Sequence, residues 1–450
     1  MTQTVAVVGA GITGLTAACD LLASGCGVTL FESAPYAGGL AFDIPCGAGR
    51  VEAFYRHIFT SDTHIRDLAA ELGLADAIRW FAPDNAVALP GASGNATNLY
   101  PFTTPGDLLR FSPLSLPGRI RLGLSVLGAK RVRDWRALEG ETAREWVLRT
   151  AGRDVWRTVW EPLMRSKFDD DADSVSAVWL WNKLALRGHT RSSGMKSELL
   201  GYMDGGFGRL VDALTERIRT LGGRIETGTA VERIDADPET GAPSLTVSSP
   251  ATEPQTLRFD RALWTAAPAL LADAAPSLPS ESLEKLRGVR YKGNLCALLE
   301  LSRPLTPHYW ISVADPDIPF VALIEHTNLV GAEAYGRHIV YLSRYIDAAD
   351  PLFSAPDDEI LRRFKAVLPR FAPDFDATAI LAARVTRARY AQPVIPCGYS
   401  GRIPPFDPVP GKAVFLASMP QIYPEDRGMN YAVRLGREAA RKILSPEAIR

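Results

Sequence analysis

The stretch Val5-Ala6-Val7-Val8-Gly9-Ala10-Gly11-Ile12-Thr13-Gly14 decides the fold, because an apolar run delivered straight into three glycines at this spacing has few structural solutions. Val5 to Val8 has the length and β-branched content of a strand buried on both faces. A helix from about Thr13 to Ser24 and a second strand from Gly27 to Glu32 complete a βαβ unit. In such a unit the first glycine permits the turn, the second lets a pyrophosphate approach the backbone, and the third packs helix on strand, while the helix N-terminus faces the phosphates. Glu32 lies about 20 residues on, where a carboxylate accepts hydrogen bonds from ribose hydroxyls and repels a 2′-phosphate. Gly9, Ala10, Gly11, Ile12, Thr13, Gly14, Glu32 and its neighbour Ser33 are therefore predicted to bind a dinucleotide. The plainer alternative is a glycine turn that serves only as a βαβ connection.

Two stretches farther along favour FAD over NAD. Gly38-Gly39-Leu40, just after the acid, supplies a second close backbone approach that a simple NAD domain does not need. Arg427-Gly428-Met429-Asn430 leads into a helix ending at Leu444, whose positive N-terminal end suits the pyrimidine side of a reduced, anionic flavin. An ordinary capped C-terminal helix is the alternative for that tail. There is no second GxGxxG, and Ser418 to Asn430 holds no flavin-linking cysteine, so the FAD is expected to be non-covalent.

The fold class expected is α/β, with a Rossmann-like FAD-binding lobe assembled from separated segments and a second lobe of mixed β platform and helices. The segments are 1–82, 205–288 and 401–450 for the FAD-binding lobe, 83–204 for a mainly helical substrate or lid region, and 289–400 for the β platform. Periodicity predicts helices at Ile65–Gly73, Thr142–Arg149, Val175–Leu186 and Arg209–Gly222. It predicts strands at Arg224–Thr227, Leu245–Ser248, Arg258–Thr265, Leu295–Leu301 and Ala413–Ala417, with strand-like runs near Val321 and Ile339.

The 450 residues are 46% hydrophobic and 22% charged, a globular composition that calls for two lobes at this length. A formal net charge of -1 gives no global field for nucleic acid or an anionic membrane. No apolar run approaches the ~20 residues needed to span a bilayer, which leaves peripheral contact open. Cys19, Cys26, Cys46, Cys296 and Cys397 are scattered without a CxxC pair, so neither zinc nor another metal is expected, and a reducing cytoplasm is the expected compartment. The opening residues lack the basic flank and cleavage site of a signal peptide.

The set GAGITG, Glu32, Gly38-Gly39, the run Gly205 to Ile234, Trp264 to Pro268 and the closing GMNYAVRLGREAA resembles the FAD-dependent amine oxidase, protoporphyrinogen oxidase and desaturase superfamily, and more remotely UDP-galactopyranose mutase. The resemblance implies that Val231 contacts the adenine through its backbone and that Met429 and Asn430 lie beside the isoalloxazine. Where the family usually has a Gly-Asp pair after the last strand, this chain has Ser418-Met419. In amine oxidases a lysine reaches the flavin from the start of a strand equivalent to Leu295–Leu301. Here Lys292 precedes that place and Leu295 occupies it, which counts against a simple amine oxidase.

Candidate catalytic residues follow from polar groups at strand ends. Glu325-His326-Thr327-Asn328 follows the apolar run Phe320 to Ile324, and strand alternation sends Glu325 and Thr327 to one face, His326 and Asn328 to the other. His326 is either a proton acceptor near neutral pH or a structural histidine. His57, with Tyr55 and Arg56, follows the Gly-Gly turn closely enough to lie near the flavin, in stacking and phosphate positioning as readily as in catalysis. Tyr423 can form a wall of the substrate cavity. Arg165 and Lys167, with the basic run 187–196, offer positive charge for a substrate phosphate or carboxylate, although a solvated basic face is the commoner cause. Leu108 to Trp135 mixes leucine with arginine and reads first as a lid over the pocket, second as an interfacial helix pair for a lipid-like substrate. Asp169 to Asp173 lacks calcium-loop spacing and reads as a solvated turn.

The function expected is transfer of hydride from a C–N, C–O or C–C bond of a small organic substrate to flavin N5. The alternatives are a redox-neutral flavoenzyme of sugar-mutase type and a non-catalytic FAD-binding protein.

Overall fold

Val5 to Val8 becomes the middle strand, Thr4–Val8, of a five-stranded parallel sheet in the computed structural model, which describes residues 2–91, 96–189, 198–408 and 411–445. Its neighbours run in the order Arg224–Thr227, Gly27–Glu32, Thr4–Val8, Arg261–Trp264 and Val414–Leu416, so one sheet draws strands from the beginning, the middle and the end of the chain. Every residue of the run after Thr4 is apolar because both faces are covered. Val5 and Val7 pack with Leu15, Leu210 and Val433 on the side of helices Ile12–Ala23, Gly208–Thr220 and Met429–Leu444. Ala6 and Val8 pack with Leu245, Val247 and Leu271 on the other side, under a three-stranded antiparallel layer.

The run predicted as one strand from Arg258 to Thr265 is two. Thr252–Arg258 closes the antiparallel layer and Arg261–Trp264 joins the parallel sheet. Asp260 sits at the switch, and its carboxylate accepts from the Thr4 N–H at 2.7 Å and the Thr4 hydroxyl at 2.9 Å. A continuous β pattern carries no mark of the chain changing sheets.

The second large sheet has seven strands, in the order Ile380–Pro393, Tyr291–Leu301, His338–Ile346, Ala322–Glu325, Trp310–Val313, Asn85–Pro90 and Thr97–Pro101. Its 14-residue edge strand Ile380–Pro393 was not foreseen. The sequence ARVTRAR within it looks solvated, but Arg387 instead donates to the Phe353 and Ala355 carbonyls at 2.9 and 2.6 Å.

Between these sheets in sequence, helices Pro105–Arg110, Leu116–Ala129, Ala143–Thr150, Glu161–Phe168 and Ala177–His189 share a core built on Trp146, Trp156, Trp160, Phe168 and Trp179. Thr104 with Asp107 and Thr142 with Glu145 form capping boxes that start two of them. The acidic run 169–173 is not a solvated turn throughout: Asp171 is buried, 2.6 Å from Arg290 and 2.9 Å from the buried Lys292.

Candidate active site

A cleft with an empty volume of about 970 Å³ runs from Glu32 past Gly11 and Gly39 to Arg427, Gly428 and Met429. Its nucleotide end is made of backbone. The Gly9 N–H donates to Phe31 O and the Gly38 N–H to Ala10 O, both at 2.8 Å, so the two glycine loops lie side by side. Glu32 fastens them, accepting from the Ala10 and Ala34 N–H groups at 2.8 Å each. Lone pairs on its two oxygens remain for a ribose.

The glycines divide into two kinds. A Cβ on Gly14 would stand 1.9 Å from the Gly9 carbonyl oxygen, so this position serves the packing of helix on turn. A Cβ on Gly11 would meet no protein atom nearer than Gly39 Cα at 4.0 Å, so what requires glycine there is the open cleft itself. Arg56 adds a second polar feature to the lining. Its guanidinium lines the cleft and donates to Leu40 O, while its buried Nε has no partner. The residues present therefore fit a dinucleotide with an acceptor group beside Arg56.

The other residues predicted for the cofactor are placed as follows. Ile12, Thr13 and Leu40 line the cleft, and Ala10 and Gly14 lie beneath the turn. Ser33 and Val231 are not on the lining. Ser33 Oγ is 3.4 Å from Glu32 Oε1, and Val231 follows Thr229, whose N–H donates to Glu32 O at 2.8 Å. Asn430 is buried behind Met429 and accepts from the Ile65 N–H at 3.2 Å, tying the last helix to helix Thr63–Glu71. Ser418 and Met419, in place of the Gly-Asp pair, line the cleft together with Tyr291 and Tyr390.

At its far end the cleft meets a cluster of charged side chains. Tyr345 Oη accepts from Arg427 Nη2 at 2.6 Å and from Lys167 Nζ at 3.1 Å, and it hydrogen-bonds with Tyr55. Arg427 Nε donates to Gln392 at 2.9 Å, and Gln392 Nε2 to Asp426 at 3.2 Å. Lys183 Nζ is 2.5 Å from the other Asp426 oxygen. Burial alone would raise the Tyr345 phenol, but Arg427, Lys167 and the hydrogen bonds outweigh it and lower it to about 7. Burial would likewise raise Asp426, and Lys183, Lys167 and Arg427 hold it below the usual carboxylate range. Burial lowers Lys167, and burial followed by repulsion from Arg427 lowers Arg56 to about 10.

Of the two substrate-binding candidates, Lys167 enters this cluster and Arg165 does not. Arg165 is exposed, 3.6 Å from Glu161 and 3.7 Å from Asp173. The side chains of the basic run 187–196 lie outside the described residues.

The strand-end candidates form a structural clasp away from the cleft. The strand stops at Glu325 and a helical turn, Thr327–Val330, follows, so alternation ends there. Glu325 is fully buried and accepts from Leu305 N, Thr306 N and Thr306 Oγ1 at 2.9, 2.7 and 3.1 Å. Asn328 donates to the Thr306 and His308 carbonyls at 2.7 and 2.9 Å. His326 lies 3.2 Å from the Tyr335 hydroxyl between aromatic rings, and burial lowers it to about 3, so it is neutral at physiological pH. Burial raises Glu325 to about 7. A polar loop anchor and a polar active site read alike along a chain.

Tyr423 and His57 also miss the lining. Tyr423 donates to Glu139 at 3.1 Å and packs on Trp135 and Tyr399, joining the tail to the helical core. His57 Nδ1 is 3.1 Å from the Tyr309 hydroxyl. None of the residues lining this cleft comes from Leu108–Trp135.

The members missed from sequence are Tyr345, Lys183, Gln392 and Asp426, which come from three separate elements and a loop. Asp426-Arg427, ahead of a helix already assigned to the flavin, was the available signal.

The profile of flavin-containing amine oxidoreductases matches residues 12–444. A coproporphyrinogen III oxidase of Staphylococcus aureus (strain NCTC 8325 / PS 47) is 29% identical over 191 residues, which spans 40% of this chain and only 39% of that relative. Among solved structures, a candidate protoporphyrinogen oxidase from Exiguobacterium sp. 255-15 superposes with a TM-score of 0.76 at 16% identity, covering 98% of this chain and 99% of that one. Putrescine oxidase bound to putrescine gives 0.72 at 15% identity over 99% of each chain. Reduced UDP-galactopyranose mutase gives 0.75 at 14% identity, over 98% of this chain and 96% of its own. At these identities the superpositions speak for the fold alone. The family profile spans nearly the whole chain, and the chain belongs to the flavin-containing amine oxidoreductases, FAD-dependent oxidoreductases by class.

Proposed function

We propose that this enzyme oxidises a C–N, C–O or C–C bond of a small organic substrate held at the Arg427 end of the cleft. Bound FAD supplies the hydride acceptor. In this reading Glu32, Gly11 and Gly39 hold the adenosine and pyrophosphate, Arg56 meets an acceptor group of the cofactor, and Gly428 and Met429 flank the ring system. The observation that carries the reading is the charge at this end. Arg427, Lys167 and Lys183 gather there around the Asp426 carboxylate, and Arg56 lines the same cleft close enough to be repelled by Arg427. Positive charge in a buried site favours the cofactor after it has gained electrons, so this end is built to draw hydride in. Tyr345, lowered towards neutrality by Arg427 and Lys167, can hold or release a proton there.

The site differs from a simple amine oxidase in its lysines. Lys292 is buried against Asp171, while Lys167 and Lys183 stand near Arg427 from the helical section. The test is anaerobic mixing of the FAD-loaded protein with primary amines, secondary alcohols and coproporphyrinogen III. Bleaching of the oxidised flavin band by one class, with recovery in air, is expected. Turnover of a nucleotide sugar by the pre-reduced protein without net electron use would replace this reading with a redox-neutral one. Flavin that resists chemical reduction would leave a non-catalytic binder.

A further inference from the structure

Helix Leu116–Ala129 turns its inner face, with Leu122 and Ala129, into the tryptophan-rich core, and leaves its outer face without a partner. Leu116, Ile120, Leu124 and Leu127 occupy successive turns of that outer face, exposed by 59, 52, 60 and 55%, and Leu109 of the preceding helix joins them at 60%. These are five of the eleven exposed large hydrophobic side chains among the described residues, gathered on one short segment. The two helices are held together. Arg119 Nε donates to Leu114 O at 2.8 Å and Nη1 to Leu109 O at 2.5 Å, so the row is a fixed surface feature.

The same segment is strongly basic in an otherwise balanced protein. Between Leu108 and Arg133 stand Arg110, Arg119, Arg121, Lys130, Arg131 and Arg133, and no acid, while the whole chain carries -1. Arg121 stands 3.7 Å from Asp154, both exposed, and Arg110 has Asp107 within electrostatic reach on its own short helix. An apolar row on one helix, with cations on and just beyond that helix, matches the layered chemistry of a bilayer surface, hydrocarbon beneath anionic headgroups. A second copy of the chain is a poor occupant, because a two-fold contact would set two such cationic faces against each other.

We infer that the Leu109 to Leu127 face docks this enzyme peripherally on anionic phospholipid, with the four apolar residues of helix Leu116–Ala129 entering the interface and Arg121, Lys130, Arg131 and Arg133 resting on the headgroups. No helix among the described residues is long and apolar enough to cross a membrane, so this attachment lies on the surface.

The test is co-sedimentation of the full-length, FAD-loaded protein with phosphatidylcholine vesicles, with and without about a third phosphatidylglycerol. At low salt the anionic vesicles should bind at least about tenfold more protein, and the gain should shrink as salt screens the headgroups. The combined L116Q/I120Q/L124Q/L127Q variant should lose about tenfold in binding while keeping its melting temperature and flavin spectrum. R121Q/R131Q/R133Q should erase the preference for anionic lipid. Should the fourfold variant fold poorly, L124Q alone should still weaken binding severalfold. Equal binding to both vesicle types, or to neither, would overturn the inference. So would a dimer in lipid-free solution that the fourfold variant dissolves, since the row would then be a contact between copies.

Discussion

The two ends of the cleft are walled by opposite means. At the Glu32 end the wall is backbone: Gly11 and Gly39 leave room, and a single carboxylate ties the loops. At the Arg427 end the wall is side chain: a phenol, two carboxamide or carboxylate partners and several cations, each holding the next. The first kind tolerates no added atoms, because space is the recognition. The second tolerates changes of shape better than changes of charge, because buried ions are stable only in balance.

The largest effects should fall on the glycine end, and should separate its two roles. G14V forces side-chain atoms onto the Gly9 carbonyl and should cost more than about 4 kcal/mol, seen as loss of soluble protein or of a cooperative melt. G11V should leave the melt of the apoprotein in place while weakening FAD binding by about 100-fold or more, about 3 kcal/mol by titration. If G11V bound FAD normally, the open space at Gly11 would not be the pyrophosphate site.

D426N attacks the balance at the other end. It leaves Lys183 without its partner and should lower stability by about 3 kcal/mol in denaturant melts. Because the native carboxyl titrates below its usual range, its contribution is present above the unfolded value and is lost as pH falls; the variant should therefore differ most from wild type at neutral pH and least in acid.

E325A separates clasp from catalyst. Removing an acceptor of three hydrogen bonds should cost about 2–3 kcal/mol, with flavin binding and reduction rate unchanged. A slow but fully stable variant would return Glu325 to the list of catalytic candidates.

R427Q should lower the flavin midpoint potential by about 30 mV, equivalent to about 1.4 kcal/mol for two electrons, measured by spectroelectrochemistry. An unchanged potential would remove Arg427 from the electrostatics of the reduced state. The smallest effect belongs to Y345F. The native phenol titrates below its unfolded value, so the folded state sheds its proton first and wild-type stability should rise with pH above about 7 relative to the variant. Ultraviolet difference spectra should show a phenol titrating near neutrality in wild type alone.

These contrasts explain what was legible along the chain. The glycine end depends on neighbours in sequence: Gly9, Gly11 and Gly14 form one turn, and Glu32 closes the adjoining strand, so spacing alone carried the geometry. The Arg427 end depends on neighbours in space. Lys167, Lys183, Tyr345 and Gln392 lie on two helices and two strands that no local pattern connects, and Lys167 had the same basic surroundings in sequence as Arg165, which stayed in solvent. Glu325, His326 and Asn328 misled for the converse reason, since burial with satisfied hydrogen bonds is as good a cause for clustered polar residues as chemistry is.

By itself the sequence determined the parallel sheet, the glycine turn, the acid that ties it, and the helix Met429–Leu444 whose first residues line the cleft. All of these follow from backbone sterics and apolar periodicity, which act over a few residues. Only the tertiary structure decided which buried charges share a cluster, which polar groups merely anchor a loop, and that the leucine and arginine helix faces outward. Those outcomes depend on desolvation and on partners brought together from distant segments, and burial has no local code.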